Sequence, residues 1–185
     1  MEIIVSILSH FRHLVLVALT ATCIPAMATL VAYNSQSAFN AATAVKGVDN
    51  FNNLPALAPI SSPMSRAAGP YSYLGTASTQ GLFSAGTGPD IWLSTDQFTD
   101  SITFSDFGSG VSAIGGLFFG TDISGGLFSG QSIFLEATDM DGSLSKTLLN
   151  TSTDSFFGFV SDRTLKSLRV SAVQSIAGDV LSRYS

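Results

Sequence analysis

From Ile133 to Thr138 the chain alternates: Ile133, Leu135 and Ala137 take turns with Phe134, Glu136 and Thr138, after a polar Ser132. A period of two marks a strand with one buried face. Asp141-Gly142 follows, and this dipeptide predicts a hairpin turn with its glycine at positive φ. In SFFGFV the alternation fails, because Phe157 and Phe159 point one way and Phe156 and Val160 the other. A strand apolar on both faces is covered on both, which predicts a central place in its sheet. LKSLRVSAV returns to alternation, with Leu168, Val170 and Ala172 inward and Ser167, Arg169 and Ser171 outward. Upstream, SITFS buries Ile102 and Phe104, and VSAIGGLFF follows a Gly-Ser-Gly turn. Short strands at regular spacing, broken by glycine turns, predict an all-β fold: an antiparallel β-sandwich or jelly roll.

The pattern before residue 100 is less regular. Thr29 to Tyr33 reads as a short strand, and Asn34 or Ser35 caps one short N-terminal helix running to about Ala42, with Phe39 as its buried anchor. Val48 to Phe51 reads as another short strand. Asn52 to Pro70 contains Pro55, Pro59, Pro63 and Pro70, which predicts a long surface loop in place of a ladder strand. Tyr71 to Leu74 resumes the sheet, and Gly86 to Pro89 is a turn. The N-terminal pattern is of another kind. Leu14 to Ile24 is an apolar run behind Arg12, Pro25 breaks it, and Ala26-Met27-Ala28 has the small-x-small form of a signal-peptidase site. Residues 1–28 are therefore expected to be a cleaved signal peptide, and residues 29–185 a single β-sandwich domain large enough to fold unaided.

Composition sharpens this picture. Only 11% of residues are charged, against about 25% in an ordinary soluble domain, and glycine, serine and threonine take their place. A neutral, hydroxyl-rich surface suits an exported protein. The net charge of −5 argues against nucleic acid as a partner, because phosphates demand a basic patch. Cys23, His10 and His13, the chain's whole complement of thiol and imidazole, lie within the expected leader. Once that leader is removed, disulfides, Cys/His zinc sites, cysteine nucleophiles and Ser-His-Asp arrangements are excluded. The expectation is a non-enzymatic protein without a cofactor.

The order of the pieces carries a resemblance. A helix containing SAFNAA precedes VDNFNNLP and a proline-rich stretch; ITFS, VSAIGGLFF, a hairpin with DMDG, FFGFVS and SLRVSA follow. From Tyr33 to Val173 this resembles the secreted β-sandwich domain of bacterial proteins with a PEP-CTERM sorting tail. The resemblance implies export to the periplasm, cell surface or extracellular matrix of Gram-negative bacteria that make exopolysaccharide, with extracellular polysaccharide as the partner. Such proteins usually continue with a last strand, Pro-Glu-Pro, an apolar helix and a basic cluster. QSIAGDVLSRYS carries none of these, so the expectation is a C-terminus truncated relative to the family, without a C-terminal membrane anchor. The absent strand would leave an open sheet edge beside LKSLRVSAV, inviting self-association.

Candidate sites are few. Asp139 and Asp141 of the DMDG turn offer carboxylate oxygens to calcium, but the rest of an EF-hand loop is missing and the plain hairpin turn is the preferred reading. Ser143-Leu144-Ser145-Lys146 lies in a hairpin strand, not at the helix start its Ser-x-x-Lys spacing would need. Glycoside hydrolysis would call for paired carboxylates, and Glu136, the sole glutamate after the leader, sits on a polar strand face. Exposed aromatic rings stack on pyranose faces, so Trp92, Tyr71 and Tyr73, read as lying outside the regular core strands, are the candidate glycan contacts of a carbohydrate-binding jelly-roll module. The bland alternative for Trp92 is burial in the core. Export itself is directly testable: the secreted or periplasmic product should begin at Thr29 by intact-mass analysis, whereas full-length protein in the inner membrane would contradict cleavage.

Overall fold

In a computed structural model, residues 29–173 are described, with the exception of Val45, Gln80 and Ser109. The signal peptide expected over residues 1–28 and the closing residues 174–185 lie outside the described residues. The hairpin forms as the alternation requires, with β11 (Ile133–Thr138) paired antiparallel to β12 (Ser143–Leu148) and Ile133, Leu135 and Ala137 buried. The turn between them differs from the expectation. Gly142 does not take positive φ. Asp139 closes the loop instead: its N–H donates to the Gly142 carbonyl, and its Oδ1 accepts from the N–H groups of Asp141 and Gly142 at 2.8 and 2.9 Å. A side chain that imitates a backbone turn removes the need for a left-handed residue.

Among the described residues there are twelve further strands and one helix: β1 (Leu30–Tyr33), α1 (Gln36–Ala42), β2 (Ala58–Ile60), β3 (Met64–Ala68), β4 (Tyr71–Ala77), β5 (Leu82–Thr87), β6 (Asp90–Thr95), β7 (Ser101–Ser105), β8 (Ala113–Leu117), β9 (Gly120–Thr121), β10 (Leu127–Phe128), β13 (Phe156–Ser161) and β14 (Ser167–Ala172). A six-stranded sheet runs β12-β11-β14-β7-β4-β3, two three-stranded sheets run β1-β13-β8 and β2-β5-β6, and β9 pairs with β10. Every pairing is antiparallel. The register places Ala137, Leu168, Phe104, Gly75 and Met64 in one row across the six-stranded sheet. Because cross-strand partners share a face, this row defines the inner face. One end of it packs with Phe157 and Phe159 of β13. The other end packs with Leu82 of β5, Ile60 of β2 and Leu93 of β6. The fold is thus an all-β sandwich whose second layer is split between two small sheets.

β13 is central in its sheet, between β1 and β8. Phe157 and Phe159 are buried on its inner face. On the outer face lies α1, capped by Ser35, whose Oγ accepts from the Ala38 N–H. Phe39 of this helix packs against Phe156 at 5.6 Å between ring centroids. It rests so closely on Gly158 that a Cβ there would lie 2.5 Å from the Phe39 ring. Glycine in the middle of the phenylalanine strand thus lets the Phe39 ring sit directly on the backbone, and any side chain there would have to displace it.

Three expectations change. Val48 to Phe51 forms no strand. The Asn52–Pro70 stretch is no simple loop, because it contains β2 and β3. Both are edge strands, where a proline's missing N–H disturbs no second ladder, so Pro59 is tolerated inside β2. Finally, β14 is not left with an open edge. It pairs with β11 on one side and β7 on the other, and among the described residues the edges of that sheet belong to β12 and β3. Among the described residues, no helix is long and apolar enough to cross a membrane.

Phe159 is 1% exposed at the junction of the two layers. Phe159→Ala should cost about 3–5 kcal/mol and lower the melting temperature by on the order of 10 °C, with Phe157→Ala behaving similarly. Unchanged thermal unfolding in both variants would show that the strand does not hold the layers together.

Candidate functional site

The two small sheets do not meet edge to edge over the large one. Between them lies a cleft of about 2240 Å³, floored by Ile102, Phe104, Leu168 and Val170 and flanked by β8 and β6. Exposed apolar side chains border it, among them Val48, Leu117, Ile123 and Phe128. Exposed apolar groups gathered round a concavity make this cleft the candidate binding surface.

Tyr71, Tyr73 and Trp92 all border this cleft, yet they form no single stacking platform. All three lie in strands: the tyrosines in β4, where Tyr71 to Leu74 was expected to resume the sheet, and Trp92 in β6, where no strand was expected. Tyr71 and Tyr73 share the inner face of β4. Trp92 sits between the inward Ile91 and Leu93 and so faces the other way. It is half-buried because residues 118–126 fold back over that outer face. Its ring stands perpendicular to Phe119 at 4.8 Å, and Ser94 Oγ lies 2.8 Å from Thr121 Oγ1.

Tyr73 is not available to a ligand. It is buried, and its hydroxyl donates to Asp49 Oδ2 at 2.6 Å. The same carboxylate accepts two bonds from Arg66, the one from Nε measuring 2.8 Å, and its Oδ1 also accepts from the Phe51 N–H. The Arg66 guanidinium lies over the Phe51 ring, 5.3 Å from its centroid, a favourable place for a cation. Burial pushes the Asp49 carboxyl up, but the bonds from Arg66, Tyr73 and Phe51 outweigh it and hold the group below its ordinary 3.8. Burial, joined by the bond to Asp49, raises the Tyr73 hydroxyl well above its usual range. The residues expected to form a strand at Val48–Phe51 are thus a strap that plugs one end of the inner face with a bidentate ion pair.

Asp139 and Asp141 do not converge on a cation site. Asp139 is 2% exposed, and beyond its turn bonds its Oδ2 accepts from Ser161 Oγ at 2.6 Å. That bond, with the two turn N–H groups, holds its carboxyl below the ordinary value in spite of burial. Asp141 is exposed and pairs with Arg163 at 3.3 Å. The third buried carboxylate, Asp100, accepts from Ser78 Oγ and Thr79 Oγ1 at 3.1 and 2.6 Å. Among the described residues, no group of three metal-ligating side chains gathers.

Sequence reading missed the Asp49–Arg66–Tyr73 cluster and the partnership of Trp92 with Phe119. A usable signal for the first was scarcity: with only eight lysines and arginines in the whole chain, an arginine at an inward position of MSRAA calls for a buried acid. Compared with family models, with curated proteins and with solved structures, the chain matches none.

Arg66→Ala should destabilise the protein by about 3–5 kcal/mol at neutral pH, since it strands a buried carboxylate. Asp49 contributes stability above its unfolded value of 3.8, and that contribution is lost as pH falls through the lower folded value. The difference between wild type and variant should therefore shrink in urea titrations run below about pH 4. A gap independent of pH would mean that the carboxylate does not depend on Arg66.

Proposed function

We propose that this chain is a non-enzymatic exported protein of the bacterial cell surface or extracellular matrix, associated with exopolysaccharide, as its resemblance to PEP-CTERM proteins implies. The observation that carries this reading is where the buried carboxylates go. Asp49, Asp100 and Asp139 are each held by two or more donors that fix strands and turns. In Asp49 and Asp139 the shift runs toward permanent ionisation, whereas a catalytic acid needs its value raised toward the working pH. Glu136 remains on a strand, opposite Ser145 and Arg169. With thiol and imidazole confined to residues 1–28, these three buried carboxylates serve the architecture.

A second reading, a carbohydrate-binding module of jelly-roll type, is favoured by one observation: Trp92 and Tyr71 border a cleft large enough for a polymer. The two readings share a partner and differ in whether a defined site recognises it. In an exopolysaccharide-producing Gram-negative host, the protein should fractionate with the surface or secreted polymer and be released when that polymer is digested. Recovery from the cytoplasm, or turnover of a panel of glycosides, would sink the proposal.

A further inference from the structure

The hairpin β5–β6 carries a second, smaller concavity on its outer face. Thr87 and Asp90 stand opposite each other across the Gly88-Pro89 turn. Trp92, two residues along the same strand, shares their face. The facing wall is the lip Ser124-Gly125-Gly126, and the hollow between measures about 310 Å³, at the low end of the roughly 300–1,000 Å³ usual for small-molecule sites.

Both walls are held in place before any ligand arrives. Gly86 takes φ of +84°, and a Cβ there would lie 2.0 Å from the Asp90 carbonyl oxygen. Its N–H donates to the Gly125 carbonyl at 2.8 Å, tying hairpin to lip. Asp122 sets the lip itself: its Oδ1 accepts from the N–H groups of Ser124 and Gly126 at 2.8 and 2.9 Å. Phe119 braces the indole from the side.

The polar side chains that line the hollow are unspent. Among the described residues, the Thr87 hydroxyl, the Asp90 carboxylate, the Ser124 hydroxyl and the Trp92 indole N–H have no hydrogen-bond partner. No unpartnered side-chain nitrogen or oxygen is sealed from solvent, so the indole N–H opens toward water. A lining that combines a half-buried aromatic residue with an aspartate, a threonine and a serine matches the mixed character of a sugar, whose ring carbons are apolar and whose rim is hydroxyl. Charge narrows the class. The sole charged side chain lining the hollow is Asp90. Asp96 and Asp122 line the adjoining cleft, against a single cation there, Lys46. A uronate would meet like charge and find no partner.

Resting on the exopolysaccharide reading, we infer that the hollow formed by Thr87, Asp90, Trp92 and Ser124 is a binding subsite for one neutral hexopyranose unit of a polysaccharide. Asp90 accepts from a pair of sugar hydroxyls, the indole N–H donates to another, and the ring packs against the sugar's C–H groups.

Trp92 is the chain's single tryptophan, so its emission reports on the two concavities it lines, and Ser124, which lines the hollow and not the cleft, tells them apart. Neutral hexasaccharides of glucose, galactose and mannose should be titrated into the exported protein, with hexagalacturonate at equal ionic strength. The expected result is a saturable change in emission with at least one neutral hexasaccharide, at a Kd on the order of millimolar for a single small subsite. Hexagalacturonate should cause none. Asp90→Asn, with an unchanged melting temperature, should bind at least tenfold more weakly, and Ser124→Ala should bind more weakly too. Silence toward every neutral sugar at tens of millimolar, equal binding by Asp90→Asn, or equal binding of the uronate would each overturn the inference. Fractionation separates this failure from that of the broader reading. If wild type and Asp90→Asn accompany the polymer equally, the subsite falls and the surface role stands. If wild type does not accompany it at all, the role itself falls.

Discussion

The inner face of the six-stranded sheet must be buried, and it is wider than any one of its partners. Its apolar row spans five strands from Ala137 to Met64, while each covering sheet has only three strands. Two separate covers are the result. β13 brings Phe157 and Phe159 over the β11–β14 end, and β5 brings Leu82 over the β4–β7 end. Since apolar burial is the main favourable term in folding, these two clusters set where the remaining elements go. The cleft between them follows directly, because neither cover reaches the other across β7 and β14.

At the margins of this arrangement, polar groups do what apolar ones cannot. Beyond the reach of the β5 cover, Arg66 and Tyr73 still face inward, and the strap through Asp49 closes over them with hydrogen bonds. Asp139 and Asp100 play the same part at two strand ends. A buried carboxylate is costly unless its lone pairs are met. Each of these is met by several donors, which makes it a rigid corner and leaves it poorly suited to moving protons. What remains chemically uncommitted lies on the outside, above all around Trp92, where a second layer of chain from 118 to 126 covers the β5–β6 hairpin, bonding Gly86 and Ser94 but leaving the Thr87 hydroxyl, the Asp90 carboxylate and the Trp92 indole N–H unpaired.

Much of this was legible in the residues themselves. The alternation in Ile133–Thr138 and Leu168–Ala172, and its failure in Phe156–Val160, named the buried faces and the central strand correctly, because side-chain direction in a strand depends only on the backbone's period of two. The helix start was legible to within one residue, as Asn34 or Ser35, for an equally local reason; the cap is Ser35, whose own Oγ meets the Ala38 N–H. Tertiary structure decided what depends on neighbours distant in sequence. Prolines forbid a central strand but not an edge, and which strands become edges is a matter of sheet order, so β2 and β3 were invisible as strands. Tyr73 and Trp92 look alike to a reader of sequence. One is consumed by an aspartate 24 residues away, and the other is turned outward by the register of its hairpin and braced by a phenylalanine from a later loop. Composition and periodicity set which faces are apolar, while long-range pairing determines which polar groups are used up in burying them and which are left for a partner.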